Sequence, residues 1–258
     1  MDLGLANKVA WVLGASSGLG LASARVLAQE GATVALSARG EDKLAAAAKD
    51  IGGHAFPLDV TDGDAIAATG RAIEERLGGI DILVANAGGP PPGTFDDFDD
   101  AAMLHAFDLT AASAWRATKA VLPSMRARGG GAVVYITSIT TKEVVDGLLL
   151  SNMMRAAVVG MAKTLARELA SDNIRVLCVA PGHHDTPRVR QLDEARATAE
   201  GKPVAEIKAR MAASIPMGRL GDPLEFGNAV AFLASEAASY ISGVTLTVDG
   251  GQLRSMST

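Results

Sequence analysis

The sequence predicts an α/β chain: one domain built on a doubly wound parallel sheet of about seven strands, with helices on both faces. Three observations carry that expectation. Short apolar runs recur along the chain, and alanine-rich stretches with helical spacing separate most of them. The runs are apolar throughout rather than alternating, as strands covered on both faces should be. Small, polar and glycine residues collect just after the runs, at what becomes a single edge of such a sheet.

In chain order, strand 9–13 leads through a glycine-rich turn into helix 19–30. Strand 33–37 precedes helix 41–50, strand 55–58 precedes helix 62–77, and strand 80–85 precedes a long helix over 101–128. Strand 132–137 precedes helix 152–170, strand 174–179 leads towards helix 223–235, and strand 244–248 closes the series. Strands that alternate with helices imply right-handed crossovers and parallel pairing. A single alternating series over 1–258, without a low-complexity linker or short repeat, predicts one domain. The stretch 188–216 breaks the pattern. It is crowded with charge, including Arg188, Arg190, Asp193, Arg196, Lys202 and Arg210, and its apolar residues are sparse. A solvated helix face is one reading. A mobile lid over a ligand cleft, at about 186–217, is the other, and the length favours it, since connections in such folds are usually shorter.

The composition narrows the function. With 48% apolar and 21% charged residues among 258, the chain is long and apolar enough for a sizeable core. A net charge of −5 gives no basic footprint for nucleic acid. The one cysteine, Cys178, lies in an apolar run and reads as a buried structural thiol, and no Cys/His spacing suggests a metal. Met1-Asp2-Leu3-Gly4 lacks a basic region followed by an apolar core, and no apolar run reaches the roughly 18 residues of a membrane span. The expectation is a cytoplasmic protein with a small-molecule partner and neither nucleic acid nor membrane.

The glycine-rich turn is Gly14-Ala15-Ser16-Ser17-Gly18-Leu19-Gly20. Three glycines between a strand and a helix let backbone N–H groups at a helix start approach a phosphate. An ordinary tight turn is the alternative for the motif alone. The other strand ends weigh against it: Ala38-Arg39, Asp59-Val60, Asn86-Ala87-Gly88-Gly89, Ser138, and Pro181-Gly182-His183-His184-Asp185-Thr186 gather beside the turn and describe a nucleotide cleft.

These residues resemble the short-chain dehydrogenase/reductase family, essentially from end to end. Gly14 to Gly20 is similar to that family's cofactor turn, with Leu13 where a threonine is usual. Asp59-Val60 resembles its adenine-contacting pair, and Asn86-Ala87-Gly88 matches its Asn-Ala-Gly signature. Pro181-Gly182 through Thr186, with His184 inside it, resembles the loop that holds the nicotinamide carboxamide. Tyr240-Ile241-Ser242-Gly243 and Val248-Asp249-Gly250-Gly251 resemble its C-terminal signature. The resemblance implies a Rossmann-type fold, an NAD(H) or NADP(H) cofactor, and a homotetramer or homodimer. An acid at the end of strand two would hold the ribose hydroxyls and repel a 2′-phosphate, whereas this chain has Ala38 followed by Arg39, which favours NADP(H) over NAD(H).

The resemblance breaks where the chemistry is expected. The family uses a serine, a tyrosine, a lysine four residues after the tyrosine, and an asparagine on the preceding long helix. Ser138 matches the serine, but Ser151 stands for the tyrosine, Arg155 for the lysine and Asp108 for the asparagine. Arg155 retains the positive charge and the means to bond ribose hydroxyls, while the phenol that transfers the proton is gone. The other tyrosines, Tyr135 and Tyr240, lie elsewhere; Tyr135 is expected in the core or the cofactor-side packing. Lys142, Glu143, His183 and His184 are the substitute donors on flanking loops, and water is a further one. Asp108 would anchor a water chain or pair with Arg155. The readings are therefore an NADP(H)-dependent oxidoreductase with a non-standard donor, a nucleotide-binding protein without redox turnover, or a lyase or isomerase using the same cleft.

Overall fold

The computed structural model describes residues 2–255; the expected domain of 1–258 extends beyond it by Met1 and residues 256–258, which lie outside the described residues. The strands are β1 (Val9–Leu13), β2 (Thr33–Ala38), β3 (His54–Pro57), β4 (Ile82–Ala85), β5 (Gly131–Ile136), β6 (Ile174–Pro181) and β7 (Thr245–Val248). They form one seven-stranded sheet in the order β3-β2-β1-β4-β5-β6-β7, every neighbour parallel. The helices are α1 (Gly18–Gln29), α2 (Glu41–Ile51), α3 (Gly63–Leu77), α4 (Asp100–Phe107), α5 (Ser113–Ala127), α6 (Leu149–Glu168), α7 (Pro187–Glu200), α8 (Val204–Ser214) and α9 (Pro223–Ala234). This is the single Rossmann-like domain that the sequence predicts.

Successive side chains of a strand point to opposite faces, so each central strand feeds two cores. On one face Val12, Leu36, Val84, Val134 and Phe226 pack with α1, α2 and α9. On the other, Trp11, Leu83, Val133, Tyr135 and Cys178 pack beneath α3, α5 and α6. Cys178 is buried, as its apolar run predicts. The indole Nε1 of Trp11 donates to Ser37 Oγ at 2.9 Å, so the buried Trp11 leaves no unpaired donor.

Two elements differ from the sequence expectation. The long helix over 101–128 is interrupted by a π-helical turn at Asp108–Ala112. Ser113 Oγ donates to the Leu109 and Thr110 carbonyls at 2.6 and 3.2 Å, supplying bonds where the helical ladder is widened. The charged stretch 188–216 folds as α7 and α8, broken at Gly201, whose φ of 64° ends α7 in the left-handed region. Within it Arg210 pairs with Glu200 and Lys202 with Glu206, while the buried Asp193 carboxylate has no partner among the described residues.

The strand order reverses between β1 and β4, and a crevice opens at their carboxyl ends. The opposite ends are clamped by Asp81. Its carboxylate accepts from the Val9 N–H at 2.8 Å and from Arg128 Nε and Nη2, each at 2.8 Å. The bond holds the pair and raises the Arg128 pKa. Asp81→Ala should lower the free energy of unfolding by about 2–3 kcal/mol, below the usual loss from breaking a buried pair because Arg128 is partly exposed. Urea unfolding measures this, and an unchanged midpoint would show that the clamp contributes nothing.

Candidate active site

Beyond β1 the chain turns through Gly14 (φ 61°) and Gly18 (φ 58°), backbone conformations that favour glycine. A Cβ on Gly14 would lie 2.6 Å from Asn86 Nδ2, and one on Gly20 would collide with the Gly14 carbonyl. Asn86 Nδ2 donates to that same carbonyl at 3.3 Å and ties the end of β4 to the turn. Ser17 occupies the N-cap of α1 in extended backbone, yet its side chain does not cap the helix. The first N–H groups of α1 are thus without a side-chain acceptor. An uncapped helix start lined by glycine is a fit for a phosphate group. Ser16 and Leu19 are half-buried along the same turn.

Arg39 follows β2, exposed, with no ion pair among the described residues. Asp59, also exposed, accepts from Thr61 N at 3.0 Å and Thr61 Oγ1 at 2.8 Å. Those bonds hold its carboxyl below the usual carboxylate range, and the charge of Arg39 adds to the effect. Val60 beside it is buried. On the other side of the crevice, Ser138 is half-buried and its Oγ accepts from Thr140 N at 3.2 Å. Ser151 and Arg155 lie one turn apart on α6 and therefore share a face. The Ser151 hydroxyl is half-buried and makes no hydrogen bond among the described residues.

Arg155 is 8% exposed. Its Nη1 donates to the Ile136 carbonyl at 2.7 Å and its Nη2 to the Ala87 carbonyl at 3.5 Å, the ends of β5 and β4. No carboxylate pairs with it among the described residues, and burial pulls its pKa down to about 10, so it remains a cation at neutral pH. Arg155 Nε has no partner and neither does Thr110 Oγ1 on the π-helical turn. Both residues line one cavity of about 10 Å3, room for one water, together with Asn86 and Tyr135.

Several candidate residues are placed elsewhere. Asp108 does not meet Arg155: across the π-helical turn, its Oδ1 accepts from Arg116 Nη2 at 3.0 Å, and Arg116 Nη1 donates to the Thr61 carbonyl. Backbone carbonyls hold Arg155 in its place. Tyr135 shares a 2.6 Å hydrogen bond with Thr118 inside the core, and burial raises its pKa, so the phenol does not open on the crevice. His184, read as a carboxamide-loop residue and a substitute donor, is 2% exposed and lies edge-on to Phe226 at 5.4 Å. Burial lowers its pKa and favours the neutral ring. His183 Nδ1 lies 2.9 Å from Gln252 Oε1. Lys142 is half-buried and Glu143 exposed on the loop after Ser138.

Gly182 follows β6 against Asp249, where a Cβ would lie 2.6 Å from the Asp249 Cβ. Thr186 stands over the glycine turn, 3.7 Å from where a Gly18 Cβ would be, and its Oγ1 accepts from Val189 N at 3.3 Å to cap α7. Two residues here escaped the sequence reading. Thr110 carried no local signal. Arg188 did: it and Arg190 are cations in the first turn of a helix, where the dipole disfavours them. Among the described residues no cluster of side chains suits a metal, and no helix is long and apolar enough to cross a membrane.

A family model described as enoyl-(acyl carrier protein) reductase matches residues 14–252. A cis-4-hydroxycyclohexanecarboxylate dehydrogenase of Sinomonas cyclohexanicum is 38% identical over 256 residues, covering 97% of this chain and 98% of that protein. A rabbit (Oryctolagus cuniculus) protein, dehydrogenase/reductase SDR family member 4, is 40% identical over 257 residues, covering 96% and 94%. The crystal structure of L-sorbose reductase from Gluconobacter frateurii, complexed with NADPH and L-sorbose, superposes with a TM-score of 0.94 at 35% identity, covering 99% of this chain and all of that one.

The buried His184 has a pH consequence. Its folded pKa lies below the ordinary 6.5, so below that pH the unfolded chain binds the proton more readily and stability falls. His184→Gln should flatten this loss between pH 7.5 and 5, as read from urea midpoints; a slope unchanged by the substitution would remove His184 as its source.

Proposed function

We propose, from the premise that this chain belongs to the short-chain dehydrogenase/reductase family, that it is an NADP(H)-dependent oxidoreductase acting on a small carbonyl or alcohol substrate. The observation that carries the reading is the glycine turn. It closes on Asn86, leaves the start of α1 uncapped, and lies at the reversal point between β1 and β4. In this reading Gly14, Ser16, Ser17, Gly18, Leu19 and Gly20 hold the pyrophosphate. Asp59 and Val60 border the adenine, Asn86, Ala87 and Gly88 line the floor, and Pro181, Gly182 and Thr186 border the carboxamide. His184 supports that loop from within the core rather than meeting the cofactor. Arg39, with Ala38 in place of an acid, takes the 2′-phosphate as a charge-assisted fork. The NADPH in the L-sorbose reductase complex supports this preference.

When bound, the nicotinamide supplies or accepts the hydride. The chain's own part is positioning. Ser138 and Ser151 offer hydroxyls to the substrate oxygen, and Arg155 contributes a fixed positive charge from the ends of β4 and β5. Neither serine is as acidic as a phenol, so the proton passes through a loop group such as Lys142 or His183, or through water. A missing general acid typically costs about 10² to 10⁴ in rate, which selects for activated carbonyls. Helices α7 and α8, over about 186–217, act as the lid. The relatives' names nominate two substrates to try first, cis-4-hydroxycyclohexanecarboxylate, whose oxidation at the hydroxyl gives 4-oxocyclohexanecarboxylate for the reverse reaction, and L-sorbose. Nucleotide binding without turnover is the second reading, favoured by Ser151 and Arg155 themselves.

Titration with NADPH and NADH, followed by a carbonyl and alcohol panel, tests both readings. NADPH should bind more tightly, and Arg39→Ala should weaken NADPH about tenfold or more while sparing NADH. Binding of neither nucleotide would overturn the reading, and binding without turnover across the panel would select the second. The double substitution Ser151→Tyr, Arg155→Lys should raise reduction of simple ketones by at least about 10²-fold, the lower end of general acid catalysis. No gain would show that the pocket, not only the acid, differs from that of its relatives.

A further inference from the structure

Arg188 is a cation in an unfavourable place, and no carboxylate among the described residues neutralises it. It is the second residue of α7, in a first turn that also holds Arg190 and no acid. The positive end of a helix repels such a side chain unless an anion is near. Arg190 finds Asp185 at 3.2 Å. Arg188 has no carboxylate partner among the described residues; its bonds run from Nη2 to the Pro90 carbonyl at 2.9 Å and from Nη1 to Gln191 Oε1 at 3.3 Å. It is half-buried, and burial lowers its pKa, so its charge is only partly solvated.

Its position supplies the reason for tolerating this. Two residues earlier, Thr186 lies over Gly18 at the start of α1. Pro90 follows the loop that leaves β4, and the place of a Gly89 Cβ lies 3.7 Å from Arg188 Nη2. Thr186 to Arg188 therefore spans from the β1 turn to the β4 loop, roofing the crevice at the strand-order reversal. The uncapped start of α1 faces the same opening. The guanidinium on the β4 loop adds positive potential to the mouth of the crevice, where an oxyanion satisfies it.

We propose that Arg188 is an oxyanion anchor at the mouth of the crevice, exchanging the Pro90 carbonyl for an oxygen of a phosphate or carboxylate carried by a ligand. The inference rests on the proposed dinucleotide-dependent activity and deepens it. A phosphate source is the cofactor pyrophosphate; a carboxylate source is the substrate. A guanidinium that forks to either oxyanion also closes α7 over the bound molecule.

The test compares wild type with Arg188→Met and Arg188→Gln in two arms. Gln keeps a donor for Pro90 but no charge. One arm measures the Kd of NADPH by fluorescence, with inorganic pyrophosphate as competitor. The other measures KM for 4-oxocyclohexanecarboxylate against its methyl ester. Both variants should lose about 10- to 100-fold, the range of one charge-assisted hydrogen bond, in one arm. Loss in NADPH and pyrophosphate binding assigns the phosphate, and loss confined to the free acid assigns the carboxylate. Folded variants with both arms unchanged overturn the anchor, as does a loss in Met with Gln like wild type, which leaves only a latch to Pro90. These failures occur with wild type binding NADPH, whereas a wild type that binds no nucleotide overturns the functional reading itself.

Discussion

Gly20 approaches the Gly14 carbonyl so closely that no side chain fits between them. That single approach sets the direction in which α1 leaves the sheet. The α1 axis then points its uncapped start across the end of β1, and Asn86 draws the end of β4 to the same carbonyl. The crevice is shaped by main chain rather than by side chains, which makes it rigid and leaves it open to a ligand rich in hydrogen-bond acceptors. The clamp of Asp81 on Val9 and Arg128 holds the other ends of the same strands. Between these two fixed ends, β1 and β4 are buried along their whole length.

Charge in the crevice runs against the charge of the whole. The chain carries −5 overall, yet Arg39, Arg155 and Arg188 have no ion pair among the described residues. Other arginines pair with carboxylates, as Arg25, Arg116, Arg210 and Arg219 do, or, like Arg175, bond backbone carbonyls away from the crevice. These three differ in how they are held. Arg39 is exposed, Arg188 rests on one carbonyl and a glutamine, and Arg155 is locked beneath two strand ends. An anionic ligand would meet a graded series, from a solvated cation at one end to a desolvated one at the other.

The sheet, its order of helices and the glycine turn were legible in the sequence because their causes are local. Apolar runs of strand length, helical spacing and the glycines of a tight turn each act within a few residues. What could not be read depends on partners far along the chain. Arg188 bonds to Pro90, 98 residues away, and Arg155 to Ala87, 68 away. Asp108 reads as anchoring a water chain or pairing with Arg155, but it opens a π-helical turn and accepts from Arg116, a pairing no local pattern signals. His184 reads as a carboxamide-loop residue and a substitute donor, and its burial against Phe226 and beside Gly221 is not visible because those partners lie far along the chain. The charged stretch, read either as a solvated helix face or as a lid, folds as α7 and α8, whose sparse apolar residues gave only a weak helical period.

The loop that leaves β4 joins more than two strands. Gly93 donates to the Gly147 carbonyl at 2.7 Å and accepts from Leu149 N at 3.3 Å, so the loop is stitched to the start of α6. Arg188 grips the same loop three residues earlier, at Pro90. Roof, loop and α6 are thus one mechanical train, and α6 carries Ser151 and Arg155. In the proposed reading, with α7 as the lid and α6 carrying the reacting side chains, this shared loop would make entry gate and reaction centre a single coordinate, so that an occupant of the mouth would shift the geometry at the centre.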